Sequence, residues 1–332
     1  MKVTFQRDIS HDKFVAFNKA SFPGRESEKI INFRYFNPRN PGDFLSNNVV
    51  AVDDADNVIG QALYHPAHYY YAGEKLQMEW GFDFFVDPLN RNDAVGLQVL
   101  DFVKENKLLP IFASGVGKKA LKIQKFYGYH VIGYLKKYFK IVNPLFLISG
   151  LLRGKNVAAE KFPSSVGKAE AKFRKVTFEN LWDKNEPYNN DVIEFERDRK
   201  FLNWRFFSEG FDYVVYGSDL SDNYFAVRTI KVKHITCLAI VDYRVDITNP
   251  KQFEAILDAA QKVATSLLLP IIVTGSSLHA IDEVVEKRGF KINGEDRPIV
   301  SNQKEYKAFQ EDIKARKFVF STLADSDGEY LM

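Results

Sequence analysis

The chain has 332 residues, with 46 Lys and Arg against 43 Asp and Glu, and a formal net charge of +3. So balanced a charge excludes the strong field of a polyanion binder, and a single cysteine, Cys237, excludes a disulfide framework or a cysteine-rich metal site. At roughly 100–200 residues per domain the length implies two domains, each able to bury its own core. The N-terminal MKVTFQRDIS lacks the apolar core and cleavage site of a secretory leader. The most apolar run, Pro144 to Leu152, is too short to span a bilayer. The expectation is a cytoplasmic protein with neither nucleic acid nor membrane as partner. The pairs Lys118-Lys119 and Lys136-Lys137 read as solvated faces.

In chain order, Val3 to Gln6 reads as a strand, and His11 to Ala20 and Glu26 to Phe36 as helices. Asn48 to Val52 is a strand, followed by the turn-rich Asp53 to Asn57. Val58 to Tyr71 and Glu74 to Val86 are long, aromatic-rich strands. Pro88 ends the second, and Asn92 to Asn106 has the periodicity of an amphipathic helix. A short buried strand (Leu109 to Ala113), a helix (Lys118 to Tyr127) and a closing strand (Tyr129 to Val142) complete the first domain, 1–143. Residues 144–170, with Pro144, Pro163 and several Lys, read as a linker.

The second domain, 171–332, repeats the order. Strand Arg174 to Phe178 and helix Asp198 to Phe207 precede strands Tyr213 to Tyr216, Tyr224 to Lys231 and Ile235 to Arg244. Helix Pro250 to Leu267 starts at a proline, as helices often do. Strand Ile271 to Thr274, helix Leu278 to Arg288 and strand Phe290 to Val300 follow. The tail, Lys304 to Met332, adds a polar helix and the strand Phe318 to Ser321. Letters repeat as well: Ile31-Asn32-Phe33-Arg34-Tyr35-Phe36 parallels Leu202-Asn203-Trp204-Arg205-Phe206-Phe207, and Gly128-Tyr129 parallels Gly289-Phe290. Repetition at half the chain length means duplicated domains rather than a solenoid.

The informative stretch is Val86-Asp87-Pro88-Leu89-Asn90-Arg91-Asn92-Asp93-Ala94-Val95-Gly96, between a strong strand and a helix. Such a turn presents successive backbone N–H groups at a helix start, where the dipole favours an anion such as a pyrophosphate. Small residues there let the backbone approach the phosphates.

This stretch resembles the signature of the GNAT N-acetyltransferase family: Val-x-Pro, two residues, Arg or Gln, two residues, Gly, one residue, then Gly or Ala. Val86, Pro88, Arg91 and Gly96 match it, with Ala94 at the first glycine. The resemblance covers nearly all of residues 1–142. It implies an α/β (α+β) fold of two tandem GNAT-like domains, each a mixed, mostly antiparallel sheet flanked by helices. It further implies a sheet splayed after its fourth strand, where the backbone at Phe85 and Val86 pairs with the pantetheine arm of acetyl-CoA or another acyl-CoA. Arg91, Asn92, Asp93, Ala94, Val95 and Gly96 then cradle the pyrophosphate. The family's acid, a Tyr four residues before a Gly-Phe, falls on Gln124, with Tyr127 close by. Glu79 and Asp83 on the fourth strand are the candidate bases, and strict alternation places them on one face.

His65 and His68, with Pro66 between them, have poor metal geometry and read as surface or loop residues, so no metal is expected. The second half has no phosphate signature after Ile240-Val241-Asp242-Tyr243-Arg244 and reads as a degenerate copy. Its Trp204, Arg205 and Asp242, and the tail Asp325-Ser326-Asp327, resemble features of bacterial tandem GNAT-like proteins. The resulting expectation is an acyl-CoA-dependent N-acyltransferase acting on the amine of a small molecule or amino sugar. Two alternatives stand beside it: a non-catalytic binding or scaffold protein built from decayed GNAT domains, and a relative of the aminoacyl-tRNA-dependent peptidoglycan-branching transferases. Near-neutral charge and the lack of a coiled-coil arm argue against the last.

Overall fold

A computed structural model of the chain describes residues 1–22, 28–35, 48–152, 157–168, 171–177, 179–180, 187, 189–208, 211–219 and 222–325. In its first part run β1 (Lys2–Phe5), α1 (His11–Ser21), α2 (Glu28–Tyr35), β2 (Val49–Val52), β3 (Val58–Tyr71), β4 (Glu74–Val86), α3 (Val95–Asn106), β5 (Ile111–Ser114), α4 (Lys118–Phe126) and β6 (His130–Ile141). Then come α5 (Leu147–Leu152), β7 (Ser165–Lys168), β8 (Ala171–Lys175), β9 (Ile193–Phe195), α6 (Arg199–Phe207), β10 (Val214–Ser218), β11 (Tyr224–Val232) and β12 (Ile235–Arg244). The last are α7 (Pro250–Ser266), β13 (Ile271–Ser276), α8 (His279–Lys287), β14 (Lys291–Ile292), β15 (Arg297–Ser301), α9 (Gln310–Lys314) and β16 (Val319–Phe320). Residues 26, 36 and 178, expected at element ends, lie outside the described residues.

Two compact units are present: Met1–Tyr69, Lys75–Val131 and Ile299–Ala308 form the first, and Tyr70–Glu74, Ile132–Pro298 and Phe309–Met332 the second. In the first, β1, β2 and β3 pair antiparallel, while β4 runs parallel to β5. The far edge of β5 is taken antiparallel by β15, Ile299 opposite Ser114. Because strand side chains alternate, this sheet buries both faces. On one, Phe14, Phe17, Ile31 and Tyr35 of α1 and α2 meet Val50, Val52 and Leu63. On the other, Val95, Val99 and Val103 of α3 meet Val49, Ala51, Ala62 and Ile111. Each of the larger of these side chains contributes about 1.5–3 kcal/mol by leaving water.

The second unit has a matching core. β12 is parallel to β13 and antiparallel to β11, β10 continues from β11, and β6 pairs antiparallel with β13, Ile141 opposite Ile271. Helix α7 buries Phe253, Ile256, Leu257, Ala260, Val263 and Ala264, the three-to-four spacing of a core stripe. Thus β6, read from sequence as the closing strand of residues 1–143, pairs in the second unit, and β15 pairs in the first. The compact units therefore do not follow chain order. Alternation marks a segment as a strand but does not say which edge receives it.

Local departures have local causes. Residues 157–168, expected in a linker, are packed: Val157 and Phe162 are buried and β7 pairs with β8. Helix α3 begins at Val95 rather than Asn92, because Pro88–Asp93 forms a 3-10 turn ended by left-handed Ala94. The stretch read as one strand from Phe290 to Val300 is two, β14 and β15, separated at Gly294 with φ +83°.

Candidate functional site

The pairing of β4 with β5 is brief. Glu79 lies opposite Ile111 and Trp80 opposite Phe112, after which β4 continues to Val86 without a β5 partner. At this point the strand carries a bulge. Asp83 has φ +46°, a left-handed conformation that aspartate enters more readily than most residues. Phe82 and Phe85 consequently join the α1–α2 cluster, while Phe84 and Val86 join the α3 cluster.

The bulge corrects the expectation that Glu79 and Asp83 share a face. Asp83 turns to α2, where both its oxygens accept from Arg34 Nη2 at 3.1 Å and Oδ2 accepts from the Tyr35 hydroxyl at 3.0 Å. Glu79 turns to the other side and accepts from Lys107 Nζ, just beyond α3, at 2.8 Å. An extra residue in the strand reverses the in–out count, which uniform alternation cannot foresee.

The loop ahead of α3 is built from its own side chains. Asp87 Oδ1 accepts from the Leu89 amide at 2.8 Å and starts the 3-10 turn. Arg91 Nε donates to the Val86 carbonyl at 3.2 Å, with its guanidinium 5.6 Å from the Phe85 ring centre. Ala94, with φ +56°, sits where the GNAT signature has its first glycine. Leu97 and Gln98 donate back to the Ala94 carbonyl, and Val95 and Gly96 are the remaining amides at the helix start, where no intrahelical acceptor exists. A Cβ on Gly96 would stand 3.3 Å from the Phe84 ring, so glycine there lets α3 press onto β4. Phe85, Val86, Arg91, Asn92, Asp93, Ala94, Val95 and Gly96 are thus contiguous around one strand end and one helix start.

At the opposite end of α3, Glu79 and Lys107 form a buried ion pair. Desolvation raises the Glu79 carboxyl above its ordinary range, with Lys107 pulling against it, and the same burial lowers the Lys107 ammonium. Lys107 Nζ also lies 4.6 Å from the Tyr64 ring centre. Tyr64 and Tyr129 are hydrogen-bonded phenols beside this pair, both pushed up chiefly by burial. A cavity of about 290 Å³ opens here, lined by Phe5, Arg7, Glu79, Asn106, Lys107 and Leu109 among others. Glu79 Oε2 is buried with no hydrogen-bond partner.

Tyr127 follows α4 and is half-buried. Its hydroxyl lies 2.9 Å from the Leu97 carbonyl and 2.8 Å from Asp101 Oδ1, and desolvation together with the Asp101 bond pushes the phenol up to about 12. Gln124 is buried, its Oε1 unpartnered. His65, expected at the surface, is buried in β3 and stacks on Phe82 with ring centres 4.2 Å apart.

The second unit repeats the geometry with a different outcome. β12 and β13 pair only at Leu238–Ile272 and Ala239–Val273, and β12 is bulged where Val227 faces Ile240 and Ala226 faces Asp242. Asp242, like Asp83, is held by an arginine and a tyrosine: Arg197 at 3.0 Å and Tyr224 at 2.7 Å. Asp246 caps the Thr248 amide at 2.8 Å much as Asp87 caps Leu89. Here, however, the chain's own C-terminal segment bridges the diverging strands. Thr322 donates to Asp242 at 2.6 Å, and Leu323 is fully buried against Gly275 of β13. Asp325 accepts from Arg197 at 2.6 Å; Ser326 and Asp327 lie outside the described residues. Trp204 packs on Phe201 and Arg205 bonds to Tyr213.

No family model matches the sequence, and no curated protein does. Solved structures do. A GCN5-related N-acetyltransferase from Anabaena variabilis aligns with a TM-score of 0.57 at 12% identity, over 90% of this chain and 72% of that one. The Saccharomyces cerevisiae N-myristoyltransferase, solved with myristoyl-CoA bound, gives 0.58 at 10% identity, over 91% and 82%. A probable N-acyltransferase from Enterococcus faecalis gives 0.55 at 11% identity, over 90% and 71%. The chain therefore has the GNAT fold, a mixed, mainly antiparallel sheet flanked by helices.

The expected candidates separate: the loop residues cluster around the start of α3, while Glu79, Asp83 and Tyr127 each face a different partner. Lys107, Arg34 and Tyr35, which hold the two carboxylates, were not expected as site residues. Arg34-Tyr35 was visible only as half of an internal repeat.

Two predictions follow from these contacts. Ala94→Gly relieves a left-handed alanine at a cost of unfolded-chain entropy, so the melting temperature should rise by about 1–3 °C. A fall on differential scanning calorimetry would show that the methyl group supplies packing instead. Glu79→Gln leaves Lys107 buried without its counter-charge and should destabilise by about 3–5 kcal/mol. The Glu79→Gln, Lys107→Met double variant should recover most of that loss in urea denaturation, and an unrecovered double variant would refute the pair as the cause.

Proposed function

We propose that the chain is an acyl-CoA-dependent N-acyltransferase made of duplicated GNAT-like domains, whose first domain holds the coenzyme and whose acceptor is the amine of a small molecule or amino sugar. The observation that carries this reading is the conjunction in the first unit of a splayed β4 with the Arg91–Gly96 loop at the start of α3. These residues fit the group. The amides of Val95 and Gly96 and the α3 dipole suit a pyrophosphate, Gly96 admits close approach, and Arg91 adds a cation at the rim. The β4 backbone beyond Trp80 is suited to pair with an amide-bearing pantetheine arm.

The acyl-CoA thioester supplies the activated acyl group, here acetyl as the simplest case. This chain's residues position and desolvate an incoming amine beside the cleft, which is the larger part of what aminolysis of a thioester needs. Of the two carboxylates, Asp83 has both oxygens taken by Arg34 and Tyr35 and serves to hold the bulge. Glu79 has one oxygen without a partner and a raised carboxyl, which suits the acceptance of a proton from the amine. Tyr127, committed to Asp101, fastens α4 to α3 and suits proton donation poorly.

A second reading is favoured by one observation: Gln124 stands at the family's tyrosine position and supplies no acid. On that reading the first domain binds acyl-CoA without turning it over.

Calorimetric titration with acetyl-CoA tests the first-domain site. The wild type should bind one equivalent, and Arg91→Glu, an exposed substitution, should weaken binding at least tenfold by repelling the phosphates. No binding to the folded wild type would overturn the reading, and binding without turnover over a panel of amines would select the second one. Tyr127→Phe should leave turnover within about twofold and cost about 1 kcal/mol of stability. Because the folded phenol is raised, that contribution is complete below the ordinary tyrosine range near 10 and is lost as the pH rises toward about 12. A tenfold loss of turnover in Tyr127→Phe would instead make it the acid.

A further inference from the structure

Residues 144–152 of the second unit form a short 3-10 turn and α5, and their side chains are arranged inside out. Leu145, Ile148, Leu151 and Leu152 are 83%, 70%, 53% and 82% exposed, and Ile141 beside them is 51% exposed. Their spacing of three and four places them on one helical face, the stripe that in a globular helix turns to the core. The inward side is instead the bare backbone of Gly150, where a Cβ would come within 2.9 Å of Pro270 and 3.0 Å of Ile235. That close seating fixes the outward aim of the leucines. So dense a group of large exposed aliphatics marks an interaction face.

The segments that build this face carry charge of one sign. Residues 132–159, 223–241 and 259–281 of this unit, which supply α5, Ile235 and Pro270, contain no Asp or Glu. Lys233 and His234 form the exposed turn next to Ile235, with Lys231 behind them. An apolar ridge whose own segments carry cations and no carboxylate is complementary to an anionic bilayer: aliphatic side chains enter the acyl boundary and lysines meet headgroups. We propose that the face built on Leu145, Ile148, Leu151 and Leu152 docks the protein peripherally on an anionic lipid bilayer. The sequence expectation of no membrane partner considered spanning segments and net charge, and neither registers a one-sided ridge. No described helix is long and apolar enough to cross a membrane, so the contact is with the surface. The inference stands independently of the acyltransferase reading.

The test is flotation of the full chain with phosphatidylglycerol–phosphatidylcholine vesicles and with phosphatidylcholine alone, alongside light scattering of the free protein. The wild type should float with the anionic vesicles and be released by high salt. Ile148→Asp with Leu152→Asp should lower partitioning by roughly a hundredfold while circular dichroism stays unchanged. Lys233→Gln should lower it about fivefold. Absence of flotation, equal flotation with neutral vesicles, or a wild-type dimer dissolved by the Asp substitutions would each overturn the proposal, the last by making the face a self-interface.

Discussion

A parallel strand pair that stays together for only two residues organises the candidate site. Once β4 leaves β5 after Trp80, the backbone groups of β4 that face the β5 side have no strand partner there. The bulge at Asp83 sharpens the divergence, and a left-handed residue in a strand persists only if its surroundings hold it. Arg34 and Tyr35 do so through a buried ion pair and a hydrogen bond. Such a pair gains little over an apolar substitute but is costly to break from one side. Its role is therefore geometric: it commits α2 to the bulge, and the bulge keeps the cleft open.

The same solution occurs in the second unit with other residues. Asp242 on bulged β12 meets Arg197 and Tyr224, although Arg197 precedes α6 and Tyr224 comes from β11. What differs is the use of the gap. In the second unit Thr322 and Leu323 bridge the parted strands. The loop before α7 also lacks the arginine and glycine that Arg91 and Gly96 provide. The gap without that arginine and glycine is the one that is filled, and an open splay with no ligand would leave strand edges and apolar side chains in water.

The buried charges sort by what surrounds them. Glu79 and Lys107 each move toward neutrality, because burial penalises both charges more than their contact relieves. Arg197 lies between two carboxylates and is held charged by Asp242 and Asp325. The first arrangement has an unpartnered oxygen and suits proton traffic, whereas the second is hydrogen-bonded throughout and suits fastening.

Much of this architecture is legible in sequence because it is local. The periodicity of Pro250 to Leu267, the apolar and aromatic run of Glu74 to Val86, and Pro88 with Gly96 around a helix start all act within a few residues; the first two elements formed where expected, and α3 starts three residues later, at Val95. The loop ahead of α3, with its GNAT-like spacing, is legible for the same reason. Long-range pairing decided the rest. Nothing in Tyr129 to Val142 says that β6 will join β13, or that β15 will cover β5, since every apolar strand suits several edges. Nor could alternation place Glu79 and Asp83 on opposite faces, because the bulge between them is stabilised by Arg34 and Tyr35, nearly fifty residues earlier in the chain. The sequence alone determined which segments are helix, strand and tight turn, because those depend on neighbours in the chain. Only the tertiary structure decided which carboxylate meets which cation and which of the two gaps stays open, because those depend on neighbours in space.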